Sequence, residues 1–470
     1  MEAAQTRHQQ LEKAFDRQEL FEAKTWLLSP APWQMSAKEQ SHLQKIGEAC
    51  REFYIAQERL YRRSVEGANL LRNGELKAPW VAEYLDRGKP EGLVEHARHP
   101  VLKRSFPKII RPDLLVTENG YALTELDAVP GGIGLTAYLY QVYKELGVFE
   151  ADAASDMVER FYRTITAGCE VQGERLPVVA IVVNEEAATY RPEFQWLAAS
   201  LREYGYPIYC IEPENIMPMG GTLCTPVDGS PEKIDVIYRF FELFDLRHVS
   251  TVDAILNAVE KEEVVITPPM RHFQEEKLSL ALFHHHLLDE YWRENLSKQS
   301  YNLLKKMIPN TWIVDPVDLP PNAILDAPYV QAKPITDWRQ LAKASQKERK
   351  LILKISGYHA DAWGARSVVL GSDVSREEWE AAIEEAIQES PYHLRVLQEY
   401  RKPVRLTHEV YDQNGEIRNM SGRLRLCPFY FVEEETAHMP GALATFCPAD
   451  KKIIHGMQDA AMLPVAFQSA

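Results

Sequence analysis

Arg111-Pro-Asp113 and Glu125-Leu-Asp127 carry the densest pairing of acid and base in this chain. In each segment the charged residues lie two apart, so in an extended strand both side chains leave the same face. Asn119-Gly120 stands between two apolar runs, a strong hairpin signal. The predicted hairpin, with strands over 112–116 and 121–126, brings one guanidinium and three carboxylates onto one patch. Hard divalent cations take oxygen ligands, and magnesium near phosphates uses one or two carboxylates with phosphate oxygens and water. An arginine beside such an ion can stabilise charge on a transferred phosphoryl group. The competing reading is a solvated hairpin face with weak surface ion pairs.

Lys354 sits inside the apolar run Leu351–Ile355 and is followed by Ser356-Gly357 and a loop through Gly364. A lysine in such a strand is costly to bury unless paired. Pointing into a cleft beside a glycine-containing loop, it suits a nucleotide phosphate; the alternative is an edge-strand lysine that discourages aggregation. Lys333 in Ala332-Lys333-Pro334 competes for the role from less strand-like surroundings. The strand over 394–399 ends in Gln398-Glu399-Tyr400, which can offer hydrogen bonds to an adenine edge or simply close a strand. Arg423 and Arg425 share one strand face, where an anion or a salt-bridged sheet would quiet their repulsion.

Three other segments read as structural. Pro130-Gly131-Gly132-Ile133-Gly134 lacks the dinucleotide-binding spacing and reads as a tight turn before a helix. His284, His285 and His286 cannot all reach one metal from a helix. Glu433-Glu434-Glu435 reads as a solvated acidic turn.

Several elements must position these groups. Residues 1–106 read as helical, with a helix over 51–71 and prolines as punctuation. A helix is expected over 135–146. Residues 177–268 alternate strands (178–183, 207–211, 234–238, 264–266) with helices (194–204, 251–259), which implies βαβ units and a mainly parallel sheet. Residues 270–306 read as helical. Beyond them come strands over 351–355 and 366–370, a helix over 375–389 opened by a Ser375–Glu378 capping box, and antiparallel strands over 409–411 and 418–431.

The 470 residues are 45% apolar and 26% charged, with a net charge of −15. This composition fits a folded protein of several domains and excludes collagen-like or mostly disordered classes. The acidic balance argues against a nucleic-acid partner. No apolar run approaches the ~20 residues of a membrane span. The start of the sequence lacks an apolar signal core, and six scattered cysteines read as buried free thiols. The expectation is a cytoplasmic protein without a membrane partner.

The order of elements resembles the ATP-grasp ligases, in particular the glutathionylspermidine synthase-like, C-terminal synthetase-type branch. The resemblance spans about 107–450. It implies an α/β (α+β) fold: a helical N-terminal region (1–106), a hairpin and helix carrying metal ligands (107–150), a Rossmann-like pre-ATP-grasp domain (151–269) and an ATP-grasp nucleotide-binding domain (270–470). It further implies Arg111 on the transferred phosphoryl group and Asp113, Glu125 and Asp127 on Mg2+. Lys277 and Lys354 fall on the ATP phosphates. Ser356, Gly357 and Gly364 belong to the loop over them, and Gln398, Glu399 and Tyr400 to the adenine hinge. The implied activity joins a small-molecule or peptide carboxylate to an amine through an acyl phosphate, releasing ADP and phosphate.

The chain departs from that family at Asp127, where asparagine is common, and in the loop after Lys354. A catalytically inactive ATP-binding protein and a non-enzymatic interaction protein are therefore the alternatives.

Overall fold

The computed structural model describes residues 2–16, 20, 25–148, 153–317, 323–362, 366–451, 454 and 458–468. Its largest element is an eight-stranded sheet. In order across it run Thr25–Leu27, Gln458–Phe467, Thr436–Pro448, Ile417–Glu433, Ile109–Thr117 and Gly120–Asp127. Leu406–Tyr411 pairs with Ile417–Glu433, and Trp33–Met35 pairs with Gln458–Phe467. The hairpin forms, with Glu118 and Asn119 at its turn, Gly120 (φ +102°) opening the second strand, Arg111 opposite Asp127 and Asp113 opposite Glu125. A register shift follows between Asp113 and Leu114. The sequence reading finds parts of strands Leu406–Tyr411 and Ile417–Glu433 but not the pairing of the latter with the hairpin strand Ile109–Thr117.

Both faces of this sheet are covered, which explains why the long strand Ile417–Glu433 is apolar on almost every residue from Leu424 onward. On one face lies helix Ala37–Val65. Its Gly47 is seated against the Tyr430 ring, and Tyr430 donates a 2.6 Å bond to the Leu43 carbonyl. This helix starts and ends earlier than the predicted 51–71. Ser36 and Glu39 form a capping box at its start. At its end Gly67 adopts φ +61°, and Ala68 N–H reaches back to the Arg63 carbonyl at 2.9 Å. On the other face, helices Ile133–Glu145 and Ala153–Thr166 pack, and Tyr140 donates to the Val465 carbonyl at 2.8 Å.

The βαβ alternation produces the expected parallel sheet, in the order Val265–Thr267, Val236–Phe240, Val179–Val183, Ile208–Ile211. Between its strands the chain also forms a small antiparallel sheet from Met217–Met219, Thr222–Val227 and Ser230–Lys233, which the sequence reading does not contain. A four-stranded antiparallel sheet has the order Thr311–Val314, Arg395–Glu399, Leu351–Ile355, Val369–Leu370. The predicted strand over 366–370 is thus reduced to its last two residues. Helix Arg376–Glu389 covers this sheet and carries the expected capping box at Ser375 and Glu378. Among the described residues no helix is long and apolar enough to cross a membrane. None of the six cysteines is in a disulfide, and four are buried.

Candidate active site

Where the hairpin, the parallel sheet and the antiparallel sheet meet, they enclose a cleft of about 600 Å³. Every described residue of the hairpin set lines it: Arg111, Asp113, Glu125 and Asp127. Lys277, Lys354, Gly357 and Tyr400 line it from the later part of the chain. Gly364 lies outside the described residues.

The hairpin wall is a lattice of opposite charges. Arg111 donates to Asp127 Oδ2 at 2.8 Å and to the Gly131 carbonyl at 2.8 Å, with its Nε 3.3 Å from Asp113 Oδ1. Asp113 is 6% exposed and also accepts from Arg425 Nη1 at 3.0 Å, while the Cys427 thiol lies 3.3 Å away. Burial pushes the Asp113 carboxyl up, but Arg425 and Arg111 outweigh it and hold the carboxyl below the usual range. Asp127 goes the other way. Burial raises its pKa, Arg111 opposes, and the neighbouring Glu125 adds to the rise. The flagged arginine pair therefore separates: Arg425 reaches the hairpin, whereas Arg423 donates to the Lys451 carbonyl at 2.8 Å.

Lys277 lies 2.8 Å from Glu125 Oε1 and donates to the Ala362 carbonyl at 2.7 Å. Burial lowers the Lys277 ammonium, yet Glu125 outweighs it and the net pKa is raised. Lys354, 8% exposed, instead donates to Gln398 Oε1 at 2.9 Å and to the Thr124 carbonyl at 3.3 Å. With burial as the largest cause, its pKa is pushed down to about 8.

The remaining predicted residues serve more local ends. The Gln398 side chain is spent on Lys354 and on Thr311 Oγ1, 3.1 Å away, and its strand is paired on both sides. Glu399 is ion-paired with Arg401 at 2.9 Å. Of the three hinge residues, Tyr400 is the one that lines the cleft. Ser356 Oγ donates to Glu276, accepts from Leu278 N–H at 2.9 Å, and so pins the start of its loop. Gly357 is required by close approach: a Cβ there would stand 2.9 Å from the Glu276 carboxyl carbon. Lys333 pairs by backbone with Val330 and does not line the cleft.

The segment read as a tight turn does open a helix. Gly132, at φ +89°, precedes Ile133–Glu145, and Glu193 caps that helix by accepting from Gly132 N–H at 2.6 Å and Leu135 N–H at 3.2 Å. His284 contacts the Ile308 carbonyl at 3.0 Å, while His286 is exposed beside Asp326. Glu433 departs from a purely solvated turn, bonding Arg160 and Thr164, whereas Glu434 and Glu435 are exposed.

Among the cleft residues that the sequence reading does not name, three are ionisable groups from the segments around 242 and 272–275. Glu242 follows the end of strand Val236–Phe240, and burial, with Glu275 and Asp127 adding, lifts its pKa to about 8. Glu275 is raised by burial to about 7, although it pairs with the fully buried Arg239. His272 is the third. All three stand in loops or single turns, where no periodicity marks them. For Glu242 and His272 the one signal was their place just after a strand of an alternating βα segment, where ligands gather.

Among the described residues, no group of three or more His, Cys, Asp and Glu side chains is arranged to hold a metal ion unaided. The donor chemistry nevertheless fits a magnesium–phosphate ligand. Glu125 and Asp127 are hard oxygen donors, and Asp127 is a carboxylate that a further cation would relieve. Lys354 is an ammonium held by neutral oxygens, which an anion would favour.

No family model matches the sequence, and no curated protein matches it. Solved structures do. A glutathione synthetase-like effector from Globodera pallida, in its apo form, aligns at TM-score 0.53 and 11% identity over 98% of this chain and 97% of that one. A candidate gamma-glutamylcysteine synthetase from Methylobacillus flagellatus KT aligns at TM-score 0.41 and 12% identity over 79% and 83%. At such identity the first likeness speaks to fold: this is a mixed α/β chain with a glutathione synthetase-like fold.

Proposed function

We propose that the chain is an ATP-dependent ligase of the ATP-grasp type that joins a carboxylate to an amine, with ADP and phosphate as products. The reading rests on one juxtaposition: acidic side chains of an early ribbon share a cleft with two lysines from the later half of the chain. On this reading Lys354 and Lys277 bind phosphate oxygens, and Tyr400 lies beside the base. Glu125 and Asp127 hold Mg2+, which when bound would neutralise charge on the phosphates. Asp113 fixes Arg111 and Arg425, and Arg111 faces the transferred phosphoryl group, a contribution of ~3–4 kcal/mol for one well-placed donor. The loop after Ser356 would exclude water from the activated carboxyl.

A catalytically silent nucleotide binder is the second reading, favoured by the ion pair that already neutralises Lys277. One assay separates the two. Melting temperature is measured with Mg-ATP, then ADP release across amino acids, dipeptides and amines. Ligation requires a Mg-ATP shift together with ADP release that depends on a carboxylate. A shift without release favours the silent binder, and no shift ends both readings.

A further inference from the structure

Asp113 stands between two guanidiniums, and the two are not equally committed. Arg111 gives Nη1 to the Gly131 carbonyl and Nη2 to Asp127, each at 2.8 Å, and turns Nε to Asp113. Arg425, on the neighbouring strand Ile417–Glu433, gives Nη1 to Asp113 Oδ2 at 3.0 Å. Its Nε is buried, but its Nη2 is not among the buried atoms and makes no hydrogen bond with any described residue. The side chain is 22% exposed and lines the cleft, so that open end is reachable from it. Among the described residues Asp113 is the one carboxylate that pairs with Arg425, and Arg111 draws on the same group. Burial lowers the Arg425 pKa, but Asp113 outweighs it and the charge is kept. Leu115, also on the cleft wall, stands opposite Arg425 in register and offers its charge nothing. A charged donor with half a partner, in a partly desolvated wall, favours an anion.

Position decides which anion. The lysines meet the hairpin on its outer strand, Lys277 at Glu125 and Lys354 at the Thr124 carbonyl. Arg425 lies two strands further across the same sheet, roughly 10 Å at a spacing of about 4.8 Å per strand. Phosphates gripped by the lysines therefore leave Arg425 beyond them, on the side where the group that attacks phosphorus has to lie. We propose that Arg425 binds the carboxylate of the acyl substrate, Nη2 donating to one oxygen while the other is left to attack. This rests on the ligase reading given above. The free carboxylate oxygen forms a bond to the γ-phosphorus as the bond from that phosphorus to the ADP oxygen breaks, and ADP departs with the electron pair. A planar guanidinium can serve two carboxylates at once, so Asp113 fixes one arm and thereby aims the other. Arg423, spent on the Lys451 carbonyl, lies outside the cleft lining.

The test uses the full chain and those amino acids or dipeptides that drive ADP release from Mg-ATP. Arg425→Lys keeps a cation for Asp113 and removes the second arm. Its Mg-ATP dissociation constant, read by calorimetry, should stay within ~3-fold of wild type, while its KM for the carboxylate should rise at least ~30-fold, the scale of one lost charged hydrogen bond. Arg425→Gln should raise KM likewise, and guanidinium ion added to Arg425→Ala should lower KM toward the wild-type value. If Arg425→Lys does not fold, as judged by its melting curve, Arg425→Gln carries the same measurements. An unmoved KM overturns the assignment whether or not kcat falls, because a mere prop for Asp113 leaves carboxylate affinity alone. Weakened Mg-ATP binding with KM unmoved puts Arg425 on the phosphates and also overturns it. Absence of ADP release from wild type with every carboxylate overturns the ligase reading and this proposal with it.

Discussion

On the hairpin wall of the cleft, Arg111 meets Asp113 and Asp127, Arg425 meets Asp113, and Lys277 meets Glu125. On the wall formed by Leu351–Ile355, Lys354 meets neutral oxygens from Gln398 and Thr124. The first wall is a set of ion pairs, buried around Asp113 and more open at Glu125, each charge conditional on its neighbour. The second is a lone ammonium at the edge of an apolar strand, with its pKa pushed down to about 8. A balanced lattice resists change and keeps its geometry. An under-compensated cation attracts an anion. The two walls therefore differ in kind: the first presents its groups already held in place, and the second offers a charge that an anion would balance.

The comparison is most easily broken at Arg111. Arg111→Ala leaves Asp113 and Asp127 facing each other without their shared cation. Removing one partner of a buried pair costs about 3–5 kcal/mol, so denaturant unfolding should show a loss of that size. Unchanged stability would mean that the hairpin charges are solvated rather than mutually dependent.

Lys354→Met addresses the other wall. Stability should change little, because an apolar side chain replaces a buried charge. The Mg-ATP dissociation constant, read by calorimetry, should rise about 100-fold, equivalent to about 2.8 kcal/mol. Retained affinity would take the phosphates away from this lysine.

The third test is pH. The folded-state pKa of Lys354, about 8, lies below the ordinary 10.5. In that window the unfolded chain binds the extra proton, so stability without ligand should rise with pH as the penalty for a buried charge is lifted. ATP needs the charged form, so affinity should move the opposite way. It should weaken about tenfold, or about 1.4 kcal/mol, as pH is raised through this range. Glu125 and Lys277, which face Lys354, shape the midpoint, and Lys354→Arg should flatten the profile.

The smallest effect on stability belongs to Glu125→Gln. Its side chain is 40% exposed and its pair with Lys277 is partly screened, so the cost should stay below about 1 kcal/mol. The magnesium concentration needed for half-maximal ADP release should rise. An unmoved requirement would remove Glu125 from the metal site.

The legible parts of the molecule were those with short-range causes. The i, i+2 spacing puts Arg111 with Asp113, and Glu125 with Asp127, on one face of their own strand, because a strand alternates its faces whatever it pairs with, but the register shift between Asp113 and Leu114 is what brings the two pairs onto the same patch. The parallel sheet followed from apolar strands alternating with amphipathic helices. The Gln398–Tyr400 segment shows the limit of such reading. Its strand end was visible, but the direction of the Gln398 side chain depended on Lys354, which stands on a different strand.

By itself, then, the sequence determined the hairpin, the i, i+2 spacing of charges on each of its strands, the βαβ segment and an apolar strand bearing a lysine. Tertiary structure alone decided that Arg425 rather than Arg423 would reach Asp113 and that Lys277 would meet Glu125. It also decided that His272 would be held by an aspartate 186 positions away. Those contacts are fixed by how sheets and loops pack across the cleft. A long-range pairing leaves no periodic trace in either partner, since each residue is placed by its own element and the meeting is set by the packing of the two.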